Sequence, residues 1–284
     1  MFPGQGSQQC GMGRELFDEV PEFRALEPDI DAILGYSLRA LCLEDEGDRL
    51  RQTQFTQPAL YVVNALHYYR AVAQGARPRF LLGHSLGEYN ALLAAGVFDF
   101  LTGLQLVKRR GQLMARARGG GMAAIIGLDA ARVDAVMAEH ALFELDVANY
   151  NAPTQTVVSG PVSELERAAP VFEAAGCRTF IPLAVSASFH SKYMVDAAES
   201  FADFLAPMSF AAPQVPVIAN ATAAPYPTRD ATAGVKALLV EQITKSVRWV
   251  ECVRYALEHG AQELRELGPG NVLSGLGQRI KSAA

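Results

Sequence analysis

The run Phe80-Leu81-Leu82-Gly83-His84-Ser85-Leu86-Gly87-Glu88 sets an apolar, strand-like segment against a Gly-His-Ser-Leu-Gly turn. A helical pattern of Tyr89, Leu92 and Leu93 follows at once. A serine on a tight strand-to-helix turn leaves no room for side chains two residues away on either side, where Gly83 and Gly87 stand. Such a turn lifts the hydroxyl clear of the sheet and aims it at the first amides of the helix, which favour negative charge. That geometry suits a nucleophile that makes and breaks acyl esters. The bare Gly-X-Ser-X-Gly pattern is weak and is also met in purely structural turns. The strand before it and the helix after it give it weight, and they predict an α/β fold with Ser85 at a strand end.

Around this turn, helices are expected near Thr56–Val72 and over Leu101–Arg116. Gly119-Gly120-Gly121 then reads as a flexible joint and a domain boundary. Beyond it the order of patterns changes. Met122–Gly127 reads as a strand, Ala130–His140 as a helix, Leu142–Asn149 and Thr154–Ser159 as strands, Val162–Ala175 as a helix and Arg178–Val185 as a strand. That order, βαββαβ, is the ferredoxin-like unit. After Ser186 longer helices return with short strands, at Val215–Asn220 and near Glu263–Leu267. The expected organisation is a larger α/β domain (residues 1–118 and 187–284) carrying an inserted ferredoxin-like subdomain (119–186). A small-molecule site is expected in the cleft between them.

A serine nucleophile needs a base, and the chain offers five histidines. His84 adjoins Ser85, so its side chain is expected to point away. His67 lies in a helix, while His140 and His259 sit at helix ends. His190 stands apart, in Ser186-Ala187-Ser188-Phe189-His190-Ser191, among small residues where the chain returns from the insertion. It is the expected base; the bland alternative is a structural histidine. No third, orienting carboxylate stands out, and a backbone carbonyl would serve. On the helix after the serine, Leu104, Val107 and Met114 form the inward stripe, and Arg110 falls on it. An inward guanidinium must be paired. A structural ion pair and a clamp for a substrate carboxylate are equally compatible with that spacing. Near the N-terminus, the glycines of Phe2-Pro3-Gly4-Gln5-Gly6-Ser7-Gln8 would let the Gln5 amide approach a ligand, although such turns are often no more than turns. Leu267-Gly268-Pro269-Gly270-Asn271 reads as a structural turn before the last helix.

With 284 residues, half of them hydrophobic, the chain can bury a large core. A formal net charge of −5 argues against nucleic acid as a partner. No apolar run reaches membrane-spanning length and no signal peptide is visible, so no membrane partner and a cytoplasmic location are expected. The four cysteines (Cys10, Cys42, Cys177 and Cys252) are scattered without a Cys-X-X-Cys pair, which suits free thiols in a reducing compartment and no metal site.

Taken together, Phe2–Gln8, Thr56-Gln57-Pro58-Ala59, Gly83–Leu92, Lys108–Gly111, Gly121–Leu128, Ser188–Ser191, Val247-Arg248-Trp249 and Leu267–Leu276 resemble the malonyl-CoA:acyl carrier protein transacylases and polyketide synthase acyltransferase domains. The chain is most similar to free-standing acyltransferases that serve polyketide assembly lines in trans. The resemblance implies an α/β-hydrolase-like large domain with a ferredoxin-like insertion and no cofactor. It implies Ser85 as nucleophile and His190 as base, with the amides of Gln5 and Leu86 as the oxyanion hole. Arg110 would hold the malonyl carboxylate, and Gln242 matches a family glutamine near the histidine. Malonyl-CoA and a phosphopantetheinylated acyl carrier protein are the implied partners. Leu86 after the serine and Phe189 before the histidine match malonyl-selective members, since a bulky Phe189 leaves little room for an α-methyl branch. The family has a full strand before its Pro-Gly-Gln-Gly turn, whereas only Met1 and Phe2 precede Pro3 here. The competing functions are an acyl hydrolase acting on carrier proteins, which would lack the arginine, and a non-catalytic docking module.

Overall fold

Apolar stripes in the sequence become helices packed around a very short parallel sheet. The computed structural model describes residues 1–283. Helices α1 (Leu16–Glu19), α2 (Pro21–Leu34), α3 (Leu38–Glu44) and α4 (Thr53–Ala73) precede strand β1 (Leu81–Leu82), and α5 (Gly87–Ala94) and α6 (Phe100–Met114) follow it. Next come β2 (Gly120–Ile126), α7 (Ala130–Glu139), β3 (Asp146–Ala152), β4 (Gln155–Pro161), α8 (Val162–Ala174) and β5 (Thr179–Pro182). The chain continues through α9 (Val195–Leu205), β6 (Val217–Ile218), α10 (Ala231–Thr244), α11 (Trp249–Glu258) and α12 (Val272–Ser282).

In the larger body, β1 pairs in parallel with β6, Leu81 opposite Val217 and Leu82 opposite Ile218. Phe2 extends this pairing on the other side of β1: its amide donates to the Leu82 carbonyl at 2.9 Å and its carbonyl accepts from His84 at 3.0 Å. The short lead before Pro3 therefore does occupy a sheet position. α4 is buried nearly all round, as befits a helix through the centre of a core. Asp99 starts α6 by accepting the Thr102 amide, so the helix that carries Arg110 begins at a fixed point.

In the inserted segment the four strands form an antiparallel sheet in the order β3-β4-β2-β5. Its period-two alternation separates two faces. Ala123, Ile125 and Val158 pack with Val133, Leu165 and Phe172 of α7 and α8 in a core of their own. Met122, Ala124 and Val157 face the opposite way and join the core of the larger body. The seam is also hydrogen-bonded: the Val247 amide donates to the Ala148 carbonyl at 2.8 Å, and the Tyr150 amide donates to the Val247 carbonyl at 3.0 Å.

Three local expectations are corrected. The triple glycine is not a flexible joint, because Gly120 and Gly121 lie within β2, opposite Pro161 and Gly160. Gly120 is needed for close packing: a Cβ there would sit 2.0 Å from Ser188 Oγ. No strand forms at 263–267; the backbone there bonds Met1, whose carbonyl accepts from the Leu267 amide at 2.8 Å and whose amino group donates to the Arg265 carbonyl at 2.7 Å, too little to build a ladder. The strand expected from Leu142 starts at Asp146, since Leu142 and Leu145 are spent on a buried turn that closes α7. Among the described residues no helix is long and apolar enough to cross a membrane.

Candidate active site

Ser85 occupies the left-handed region with φ of 49°, a conformation that costs a non-glycine residue roughly 1–3 kcal/mol and needs its surroundings to enforce it. The flanking glycines explain how close the chain passes itself. A Cβ on Gly83 would lie 1.9 Å from the Gly87 carbonyl carbon, and one on Gly87 would lie 2.0 Å from the Phe2 carbonyl oxygen. Three side-chain bonds then fasten the turn. The Ser85 amide donates to Asn220 Oδ1 at 2.7 Å, Asn220 Nδ2 donates to the Gly83 carbonyl at 2.7 Å, and Gln242 Nε2 donates to the Ser85 carbonyl at 3.0 Å.

His190 meets the serine across the cleft, with Nε2 at 2.8 Å from Ser85 Oγ. Its Nδ1 lies 2.8 Å from the Gln242 carbonyl and 3.2 Å from that of Lys245. Two acceptors at Nδ1 assign the proton there and leave Nε2 free to accept from the hydroxyl. The orienting group is thus backbone carbonyl. Burial, and then the nearby Arg110 charge, push the imidazole down to about 3 against these carbonyls, so it stands neutral at neutral pH. Like Ser85, His190 is in the left-handed region, with φ of 58°.

Arg110 completes the group. Only 1% exposed, it donates through Nη2 to Ser85 Oγ at 3.1 Å and to Gln242 Oε1 at 2.9 Å, and its guanidinium lies 5.5 Å from the centre of the Tyr89 ring. Among the described residues it belongs to no ion pair. A buried guanidinium outside any ion pair, beside the Ser85 hydroxyl, has the chemistry to pair with an anionic group.

These residues open on a cavity of about 200 Å³ that is continuous with solvent and walled by both bodies. Gln5, Leu86 and Phe189 line it, so every site residue expected from the sequence converges here except Gln242, which lies just behind the wall and holds Arg110 and Ser85. The Gln5 and Leu86 amides have no acceptor among the described residues. Gln5 Nε2 bonds Thr53 Oγ1 at 3.2 Å, which turns that side chain aside. Met122, Val157, Leu183 and Val185 contribute an apolar wall from the inserted segment. The site can therefore offer an activated hydroxyl, two free amides and one fixed cation to an acyl group with an anionic end.

The acyl transferase domain family matches residues 1–278. The chain belongs to that family. Among its relatives is the polyketide biosynthesis malonyl CoA-acyl carrier protein transacylase BaeC of Bacillus velezensis, 50% identical over 284 residues that cover 99% of this chain and 96% of BaeC. Two longer polyketide biosynthesis proteins also match, and the chain spans 24% and 36% of their lengths. The crystal structure of a malonyl CoA-acyl carrier protein transacylase from Burkholderia pseudomallei superposes with a TM-score of 0.93 at 49% identity, covering 100% of this chain and 97% of that one. A malonyl-transacylase solved in complex with a type II polyketide synthase acyl-carrier protein gives a TM-score of 0.93 at 37% identity, covering 99% and 92%.

Some members of the site escaped the sequence reading of this acyl transferase. Asn220, the clamp on the nucleophile turn, was visible only as a polar residue ending an apolar strand pattern. Gln57 lines the cavity while 2% exposed, with its Oε1 unpartnered. His84 lines the same cavity as Ser85, and its Nε2 lies 2.8 Å from Asn151 Oδ1 on β3. His67, His140 and His259 are outside the site, in α4 and at the ends of α7 and α11.

Proposed function

We propose that the chain is a malonyl-CoA:acyl carrier protein transacylase acting by a ping-pong mechanism through a Ser85 ester. His190 Nε2 takes the Ser85 hydroxyl proton as Oγ attacks the thioester carbonyl. The developing oxyanion lies against the Gln5 and Leu86 amides. The carbon–sulfur bond breaks, CoA leaves as the thiol with the proton from His190, and malonyl remains on Ser85. In the second half the phosphopantetheine thiol of the carrier protein gives its proton to His190 and attacks the ester, and Ser85 recovers its proton as the malonyl thioester departs. Arg110 grips the distal carboxylate throughout, and Gln242 orients Arg110. Phe189 limits bulk at the α-carbon and favours malonyl over methylmalonyl units.

The architecture suits this division of labour. Residues 1–118 and 187–284 act as an α/β-hydrolase-like catalytic domain, and 119–186 as a ferredoxin-like insertion; the antiparallel order β3-β4-β2-β5 supports the latter. The names of the relatives support the donor and the acceptor, and a polyketide assembly line in the cytoplasm is the natural setting.

One observation carries the reading: Arg110, 1% exposed and without an acidic partner among the described residues, lies within hydrogen-bond distance of the nucleophile. A hydrolase for uncharged acyl groups has no use for it. Incubation with malonyl-CoA should add a malonyl mass to Ser85. Arg110→Ala should lose malonyl transfer by about 10²–10³-fold, the loss typical of a broken buried pair, and keep transfer of an uncharged acetyl group. Unchanged malonyl transfer in that variant would overturn the assignment.

A further inference from the structure

We infer that Glu88 is a positioning residue for the nucleophile, acting through Asn220. The inference rests on the reading of Ser85 as nucleophile but not on the identity of the acyl donor. Glu88 lies in the first turn of α5, fully buried beneath the serine turn, and belongs to no ion pair among the described residues. Its two oxygens are spoken for: Oε2 accepts the Asn220 amide at 2.7 Å, and Oε1 accepts the Tyr226 hydroxyl. Asn220 in turn spans the nucleophile turn, accepting from the Ser85 amide and donating to the Gly83 carbonyl, each at 2.7 Å.

The chain of bonds has a direction. The carboxyl fixes the Asn220 backbone, the Asn220 side chain fixes both ends of the turn, and the turn holds Ser85 at a strained φ of 49°. A buried carboxyl is a poor way to gain stability, since an apolar side chain of like volume usually does as well or better. Burial drives this one up to about 7 in spite of the Tyr226 and Asn220 bonds. What the carboxyl provides is two acceptors at fixed positions. Without them Asn220 loses its anchor and the turn can relax. A relaxed turn moves Oγ off His190 and Arg110, and a 1 Å displacement is enough to cost about a hundredfold in rate.

The test compares Glu88→Leu, Glu88→Gln, Asn220→Ala and the double variant Glu88→Leu/Asn220→Ala. Two rates are measured: modification of Ser85 by a fluorophosphonate, and single-turnover acylation by malonyl-CoA. Glu88→Leu should slow both by about 30–100-fold, with the half-saturating malonyl-CoA concentration unchanged. Glu88→Gln should recover most of the rate, because its oxygen accepts the Asn220 amide while its NH2 donates to Tyr226. Asn220→Ala should match Glu88→Leu, and the double variant should be no slower than the worse single one. Losses that multiply, or a folded Glu88→Leu within threefold of wild type, would overturn the inference. If Glu88→Leu does not fold, Tyr226→Phe removes one donor at constant volume; about fivefold slowing is then expected, and the wild-type rate would count against the idea. A wild type that reacts with the phosphonate but not with malonyl-CoA would refute the proposed donor and leave this inference standing.

Discussion

The turn that carries Ser85 and the turn that carries His190 are both non-glycine left-handed turns, with φ of 49° and 58°, yet they are held in different ways. Backbone packed on backbone, together with the bonds of Asn220 and Gln242, holds the first, and all of it lies within the larger body. Gly83 and Gly87 pass so close to Gly87 and Phe2 that no side chain fits. Hydrogen bonds hold the second, and they reach across the seam. Ser188 Oγ donates to the Gly160 carbonyl at 2.8 Å, and the Lys192 amide donates to Asp146 at 2.8 Å, both in the inserted segment. Ser85 is thus fixed by one body alone, whereas the placement of His190 depends on how the two bodies are joined.

The largest effects follow from the first turn. Gly87→Ala would place a methyl group 2.0 Å from a backbone carbonyl of the central sheet, which no rotamer can relieve. A loss of more than about 3 kcal/mol is expected in urea unfolding, with no phosphonate labelling of Ser85. Near-native stability would show that the turn is not set by packing.

Gly120→Ala probes the second turn and should be milder. Its methyl group meets the Ser188 hydroxyl, a side-chain atom, at 2.0 Å, so the clash falls on the seam behind His190. About 1–2 kcal/mol of stability and roughly tenfold in acylation should be lost. Ser188→Ala alone deletes the bond to the Gly160 carbonyl without adding a clash, and should slow acylation with a smaller loss of stability. If it leaves acylation unchanged, the seam does not position His190 in the way the contrast requires.

Legibility in the sequence divides along the same line. Ser85 announces itself because glycine spacing records backbone contact directly. His190 was reachable by elimination and by its place at the end of the insertion, but the carbonyls of Gln242 and Lys245 that orient it leave no trace in residue type. Arg110 was placed on an inward stripe, yet spacing could not say whether a protein carboxylate paired with it; only the packed structure shows that no ion pair forms there among the described residues. The βαββαβ order was readable because strand and helix periods differ. Gly119-Gly120-Gly121 misled because glycine marks close packing as well as flexibility, and here Ser188 fills the space. Glu88 stood in the quoted run, and its sole signal was a carboxyl in a helix, α5, otherwise without charge.

In the pH dependence of stability the two turns should differ in sign. Glu88 is raised by burial from 4.5 to about 7. Between those values the unfolded chain gives up its proton and the folded chain keeps it, so this contribution is complete below 4.5 and lost as pH rises to about 7. His190 is lowered, by burial first and the Arg110 charge second, from 6.5 to about 3. There the unfolded chain takes up the proton first, so the contribution is present above 6.5 and lost as pH falls toward 3. Each slope is limited to about 1.4 kcal/mol per pH unit, the value for one proton. Relative to wild type, Glu88→Gln should gain Tm as pH rises from 4.5 to 7, and His190→Gln should gain Tm as pH falls below 6.5. Two difference curves of the same slope would mean that one of these groups is solvated in the folded protein. A flat curve for His190→Gln alone would place water beside the base, and the seam would then be looser than the bonds of Ser188 and Lys192 require.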